Sequence, residues 1–179
     1  MMNAKVKILD IIPECYVDTN LIEFLLNAKV NHQHCCSQVV GQLNNKFADK
    51  FAIGIIDKDK VELGYIKECN VIANTEHLTL LKHKDRCQFL ITIAPAVDRF
   101  ILDCATEQNV DTMQFGIPST LKEFTKLSKS VSSNTDSRFK SLFVVIKDNA
   151  EIKALRRSLK YLNETRYKSD IDTLRSFFI

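Results

Sequence analysis

Apolar residues fall into short runs along the chain, and the period of each run indicates the element it forms. Lys5 to Ile12 reads as a first strand, with Val6, Ile8, Leu9, Ile11 and Ile12 apolar. Pro13 ends it, because proline cannot donate to a strand ladder. Glu14 follows at once. Tyr16 to Asn20 reads as a polar crossing in which Asp18, Thr19 or Asn20 can cap the next element. Leu21, Ile22, Phe24, Leu25 and Leu26 then give a helical apolar face. Val30 to Gln38 is expected to be a second strand. Val39 to Lys50 is expected to be a second helix, with Val39, Val40, Leu43 and Phe47 on one face. Phe51 to Ile56 is apolar at successive rather than alternate positions, as in a parallel strand covered on both faces. Strand, helix, strand, helix, strand is the rhythm of an α/β domain.

After Asp59 the pattern changes. Val61 to Glu68 predicts a short helix or an irregular link, and Val71-Ile72-Ala73 is apolar again. His77 to Lys82 and Cys87 to Ile93 predict two strands around the turn His83-Lys84-Asp85-Arg86, an antiparallel hairpin added at the sheet edge. Pro95 ends the second strand. Ala96 to Cys104 predicts a helix with Val97, Phe100, Ile101 and Cys104 inward and Asp98 in its first turn. Further on, Ser119 to Lys129 predicts a helix, and Ser130 to Ser137 a surface loop. Arg138 to Lys147 is apolar without an assigned type. Ala150 to Tyr161 predicts a basic amphipathic helix, and Ser169 to Ile179 a short apolar one. The expected organisation is an α/β domain over residues 1–117, its sheet mostly parallel and flanked by helices. A basic, mainly helical C-terminal extension over 118–179 packs on it.

Composition narrows the class. At 45% hydrophobic and 26% charged, the chain has enough apolar content for a real core. No apolar run approaches the 18 or so residues of a membrane span, and the first residues lack the apolar segment of a signal peptide. A cytoplasmic protein without membrane partners is therefore expected. The six cysteines form no CxxC pair, which points to buried free thiols. Charge is uneven: residues 138–179 carry 10 Lys or Arg against 5 Asp or Glu. That surplus suits a phosphate-rich partner; a solvated helix face gives the same count.

Candidate chemistry lies in the acids. Asp57 and Asp59 are two apart, so on an extended chain they point the same way and can face one hard cation together. Mg²⁺ is commonly held by one or two carboxylates plus waters and phosphate oxygens. Asp-Lys-Asp-Lys is equally a good polar turn. Glu14 ends the first strand and Asp18 follows four residues later; if strands one and three are neighbours, all four acids share one cleft. Asp98 either complements the dipole of its helix or serves as an extra ligand. His32, His34, Cys35 and Cys36 invite a zinc reading. It is disfavoured because side chains alternate between the faces of a short strand and no partner pair sits elsewhere at metal-ligand spacing.

Ile11-Ile12-Pro13-Glu14-Cys15-Tyr16-Val17-Asp18 and Ile55-Ile56-Asp57-Lys58-Asp59 together resemble the Toprim domain. That family includes topoisomerases, bacterial primases, recombination-repair proteins and overcoming-lysogenisation-defect nucleases. Its pattern is an apolar strand ending in Glu, often Glu-Gly-x-x-Asp, and a later strand ending in Asp-x-Asp. The resemblance covers roughly residues 5 to 105, and Cys87 to Cys104 looks like the later part of small stand-alone members. It implies that Glu14 acts as general acid/base or metal ligand, that Asp57 and Asp59 bind Mg²⁺ or Mn²⁺, and that Asp18 assists. Lys58 and Lys60 either touch phosphate or stand as solvated turn lysines, and in the basic extension, which the resemblance does not cover, Lys153, Arg156, Arg157 and Lys160 would hold a nucleic-acid backbone. The implied function is metal-dependent phosphodiester chemistry on DNA or RNA, as a nuclease. The alternative is a non-catalytic binding or assembly module of a larger nucleic-acid-processing or phage-defence complex. Position 15 is Cys where the pattern has Gly. The direction in which Glu14 faces therefore discriminates between the two.

Overall fold

The computed structural model describes residues 5–58 and 64–179. Strands β1 (Ile11–Pro13), β2 (Ala52–Asp57), β3 (Cys69–Asn74), β4 (Leu78–His83) and β5 (Gln88–Ile93) form one sheet in the order β1-β2-β5-β4-β3. β1, β2 and β5 run parallel, with Ile11 opposite Ile53 and Ile53 opposite Phe89. β4 is antiparallel to β5, and β3 to β4. The sheet is thus mixed rather than mostly parallel. The expected edge hairpin is also corrected: β4 and β5 do form it, but β5 lies in the middle of the sheet. Every residue of β5 is buried, which requires cover on both faces and a neighbour on each side. Its one amide, Gln88, is satisfied there: Nε2 donates to the Leu43 and Phe47 carbonyls, and the Tyr65 hydroxyl donates to Oε1.

The expected second strand is an irregular fringe. The N–H groups of Lys29, Asn31 and Gln33 donate to the carbonyls of Val6, Ile11 and Pro13, yet the pairing is regular only at a single Lys7–Lys29 bridge. Asn31 to Gln38 has no apolar face to bury, and helix α2 (Cys36–Asn44) already starts inside it. Helix α1 (Tyr16–Leu26) begins directly after Cys15, without the expected polar crossing. Asp18 caps it from the third helical position: Oδ1 accepts from the Cys15 and Thr19 N–H groups at 2.8 and 2.7 Å, and a carboxylate in the first turn complements the helix dipole.

α2 covers one face of the sheet through Val39 and Leu43, against Ile12, Ala52, Ile56 and Leu90. It approaches β2 closest at Gly54, where a methyl group would lie 2.9 Å from the Leu90 side chain and 3.0 Å from that of Val39. After the short α3 (Gly64–Lys67), the remaining helices are α4 (Val97–Glu107), α5 (Leu121–Ser128), α6 (Ser137–Ile146), α7 (Ala150–Thr165) and α8 (Ile171–Ser176). α6 accounts for the unassigned Arg138 to Lys147. Phe139, Leu142, Phe143 and Ile146 recur at helical spacing and all are fully buried. Residues from α1, α4, α5, α6, α7 and α8 join Ile53, Ile55, Phe89 and Ile91 in one apolar cluster on the other face. The tail also pins the far end of the sheet, where Arg166 pairs with buried Asp10 and the Tyr167 hydroxyl accepts from the Phe51 N–H.

The six cysteines are free, but only Cys36 and Cys104 are buried; Cys87 is exposed and the other three are half-buried. This corrects the expectation of uniformly buried thiols. Among the described residues, no helix is long and apolar enough to cross a membrane.

Candidate functional site

The register places the candidate acids. Pro13 lies opposite Ile55 and Asp57 opposite Ile93, so Glu14 emerges beside Asp57 at the carboxyl ends of adjacent parallel strands. Glu14 Oε2 accepts from the Asp57 N–H at 3.0 Å, and Asp57 Oδ1 accepts from the Val97 N–H, at the start of α4, at 2.9 Å. Both acids line a pocket of about 250 Å³ with Asp98, His32, His34 and Lys129. α1 and α4 both point their N-termini towards this end, and the dipoles favour negative charge there. Cys15, the N-cap of α1, has φ −120° and ψ −179°. That is ordinary extended backbone, so nothing there requires glycine, and Glu14 faces Asp57.

Electrostatics oppose so many acids in one place. Glu14 is 4% exposed, Asp18 1% and Asp98 8%. Burial, then the charge of Asp57, holds the Asp18 carboxyl well above the usual carboxylate range, against hydrogen bonds from Cys15. Its Oδ2 is buried with no hydrogen-bond partner among the described residues. Burial, with the nearby Asp18 charge, also pushes the Cys15 thiol up, which makes it a poor nucleophile.

The other predicted residues are dispersed. Asp59 and Lys60 lie outside the described residues, as do the first three residues of the link predicted from Val61. Lys58 lines a neighbouring pocket of about 590 Å³ with His77, Arg99 and Asp103. Of the α7 cations, Lys153 pairs with Asp148 at 3.7 Å, and none of Lys153, Arg156, Arg157 and Lys160 lines the Glu14–Asp57 pocket. The reason is axial. α7 starts with Glu151 against His77, near the carboxyl end of β5, and runs to Arg166 beside Asp10 at the opposite end of the sheet. Lys160 therefore lies roughly 13 Å further along the helix than Glu151, at 1.5 Å per residue.

Sequence reasoning missed two features. His32 and His34 reach the same pocket, as residues two apart on an extended segment can; weighing them only as zinc ligands hid this. Their rings form a cluster with Tyr16: Tyr16 to His32 is 4.8 Å between centroids, His32 to His34 is 5.0 Å, and Tyr16 to His34 is 6.0 Å. The second feature is His77, whose Nδ1 lies 2.5 Å from Glu151 Oε2 and whose Nε2 lies 3.1 Å from Asp103 Oδ2. Asp103 also accepts from Arg99 Nε at 2.9 Å. With a carboxylate on each ring nitrogen, both must donate, which makes His77 an imidazolium. Burial alone would lower its pKa, but the bonds to Glu151 and Asp103 outweigh it and raise the pKa.

Among the described residues, no three His, Cys, Asp or Glu side chains are grouped so as to hold a metal ion. Comparison of the chain with protein-family models, curated proteins and solved structures finds no match.

Proposed function

We propose that this protein carries out divalent-metal-dependent phosphodiester chemistry on nucleic acid, as a nuclease with a Toprim-like arrangement of acids. The observation that supports the reading is the Glu14 carboxylate facing Asp57 in one pocket, at the carboxyl ends of neighbouring parallel strands. Ligand sites of open α/β sheets lie there. Glu14 and Asp57 suit a hard cation held through two carboxylates and completed by water and phosphate oxygens. Asp59, two residues on, is the further ligand implied by the Asp-x-Asp pattern. A bound Mg²⁺ or Mn²⁺ would polarise a phosphoryl oxygen and lower the pKa of a coordinated water. The chain's own part is to hold the acids against their mutual repulsion, through the N–H groups of Asp57 and Val97 and two helix N-termini. Lys129 lines the same pocket as a cation for phosphate, and Lys58 lines the neighbouring one. The test is cleavage of single- and double-stranded DNA and RNA in Mg²⁺ or Mn²⁺. Wild type is expected to cleave at least one, and Glu14→Gln to lose about 100-fold or more. Cleavage unchanged by Glu14→Gln sinks the reading.

A second reading, a non-catalytic binding or assembly module, is supported by the backbone N–H groups that already hold Glu14 and Asp57 without a cation. It predicts nucleic-acid or partner binding that Glu14→Gln and chelation leave unchanged.

A further inference from the structure

The pocket that Lys58 lines, about 590 Å³, lies against the pocket of Glu14 and Asp57. Asp57 lines one and Lys58 the other, and the two residues are consecutive. Val97 and Asp98 line the first and Pro95 and Arg99 the second, all within the turn from β5 into α4. A polymer whose reacting group sits at Glu14 and Asp57 therefore brings its adjoining unit to Lys58 and Arg99.

Arg99 is held by one edge. Its Nε donates to Asp103 Oδ2 at 2.9 Å, and the same oxygen accepts from His77 Nε2 at 3.1 Å. Glu151 closes the other ring nitrogen, so the acceptor that fixes Arg99 is itself fixed by the buried imidazolium. This uses one of five guanidinium N–H groups. Nη1 and Nη2 make no bond to another described residue, and neither does Lys58 Nζ. Arg138, by contrast, spends Nε and Nη2 on Asp136 and Nη1 on the Gly116 carbonyl. Both Lys58 and Arg99 are exposed, so a ligand in the pocket can reach them.

Net charge alone does not select an anion here, because Glu76, Asp103 and Glu151 balance Lys58, Arg99 and His77. Asp103 and Glu151 are already spent on His77, and Glu76 is exposed, where salt screens it. What is left over is donors: an ammonium and a guanidinium fork. The planar fork matches the two free oxygens of a phosphodiester, and the ammonium adds a point charge.

We propose that Lys58 and Arg99 form a subsite for the phosphodiester next to the one that is cleaved, an inference that rests on the phosphodiester reading above. Asp103 is a positioning residue for Arg99.

The test is cleavage of single-stranded DNA in Mn²⁺, with kcat/KM measured across a range of salt. Arg99→Gln is expected to lower kcat/KM about tenfold, the scale of one charge-assisted hydrogen bond. Removing both cations, in Arg99→Gln/Lys58→Gln, should flatten the slope of log kcat/KM against log salt by about 0.7, one phosphate's share on a single strand. Lys46→Gln, at the other end of the sheet beyond α2, should keep the wild-type slope. Asp103→Ala should lose what Arg99→Gln loses, and Asp103→Asn should restore it, since one amide oxygen can accept from both Arg99 and His77. Arg99 is an exposed side chain, so its variant decides the matter even where Asp103→Ala fails to fold. Arg99→Gln with the wild-type rate and slope, or Lys46→Gln with an equal loss, overturns the subsite; the nuclease reading then stands where Glu14→Gln is inactive. A wild type that cleaves no nucleic acid overturns both.

Discussion

Two groups of buried or half-buried acids sit at the same end of the sheet, on either side of the β5 to α4 connection. In the first, Glu151 and Asp103 close on the two ring nitrogens of His77, and Arg99 completes the pairing of Asp103. In the second, Glu14 and Asp18 accept from backbone N–H groups, and one Asp18 oxygen has no partner among the described residues. Charge balance inside the first group makes it a structural tie between α7, β4 and α4. Carboxyl crowding in the second is what the proposed cation would relieve.

The comparison breaks most visibly at Glu151. Glu151→Ala leaves the His77 imidazolium with Asp103 alone, and stability in urea should fall by about 3–5 kcal/mol, as expected for one partner of a buried pair. A loss near zero would mean that His77 is neutral and the tie incidental.

The two groups should also differ in their response to pH. Glu151's pKa is lowered because its bonds to Thr75 and His77 outweigh burial. Its contribution is therefore complete above the ordinary value of 4.5 and is lost as pH falls through the lowered folded value. His77's pKa is raised, so its contribution is complete below 6.5 and is lost as pH rises through the raised folded value. Asp18 runs the other way from Glu151. Its folded pKa is raised, so the folded state binds the extra proton, and stability declines as pH rises from 3.8. Thermal melts from pH 4 to 9 should show this decline flattened in Asp18→Asn. That variant should be the more stable by about 1 kcal/mol at pH 8, an ordinary point-mutation effect. Asn retains the Oδ1 acceptor, and each side chain leaves one polar atom unpartnered, so that cost cancels. A less stable Asp18→Asn at alkaline pH would show that the carboxylate is compensated.

The smallest effect is expected at Cys15. Its backbone is extended and its thiol is only a weak hydrogen-bonding partner in the cap with Asp18, so Cys15→Gly should cost only a few tenths of a kcal/mol and leave Glu14 in place. A large loss would show that the thiol helps to set the pocket.

Much of the frame was legible because burial leaves a signature in composition. Ile11-Ile12 and Ala52 to Ile56 are apolar on both faces, and this identified two strands whose ends carry Glu14 and Asp57; that the edge strand β1 lies beside β2 was a condition in the sequence and is seen only in the register. What stayed hidden depended on contacts that no local pattern encodes. The hairpin of β4 and β5 is local, but which strand β5 meets on its other side is not, so its central place was missed. Asp18 was read as preceding its helix because a side chain capping from the third position looks the same in sequence as one capping from outside. His77 and Glu151 are 74 residues apart, and neither sits in a motif. His32 and His34 were visible as a pair. Their place at the pocket depended on a fringe segment following β1 past Pro13, which the polar composition of Asn31 to Gln38 gave no reason to expect.

The central claim is that the crowded acids hold a divalent cation. Its most direct test is calorimetric titration of Mn²⁺ and Mg²⁺ into wild type and into the Asp57→Asn/Asp59→Asn double variant. Saturable binding in wild type that disappears in the variant is the predicted result. Equal heats from both proteins, or no binding by wild type with nucleic acid present or absent, would contradict it.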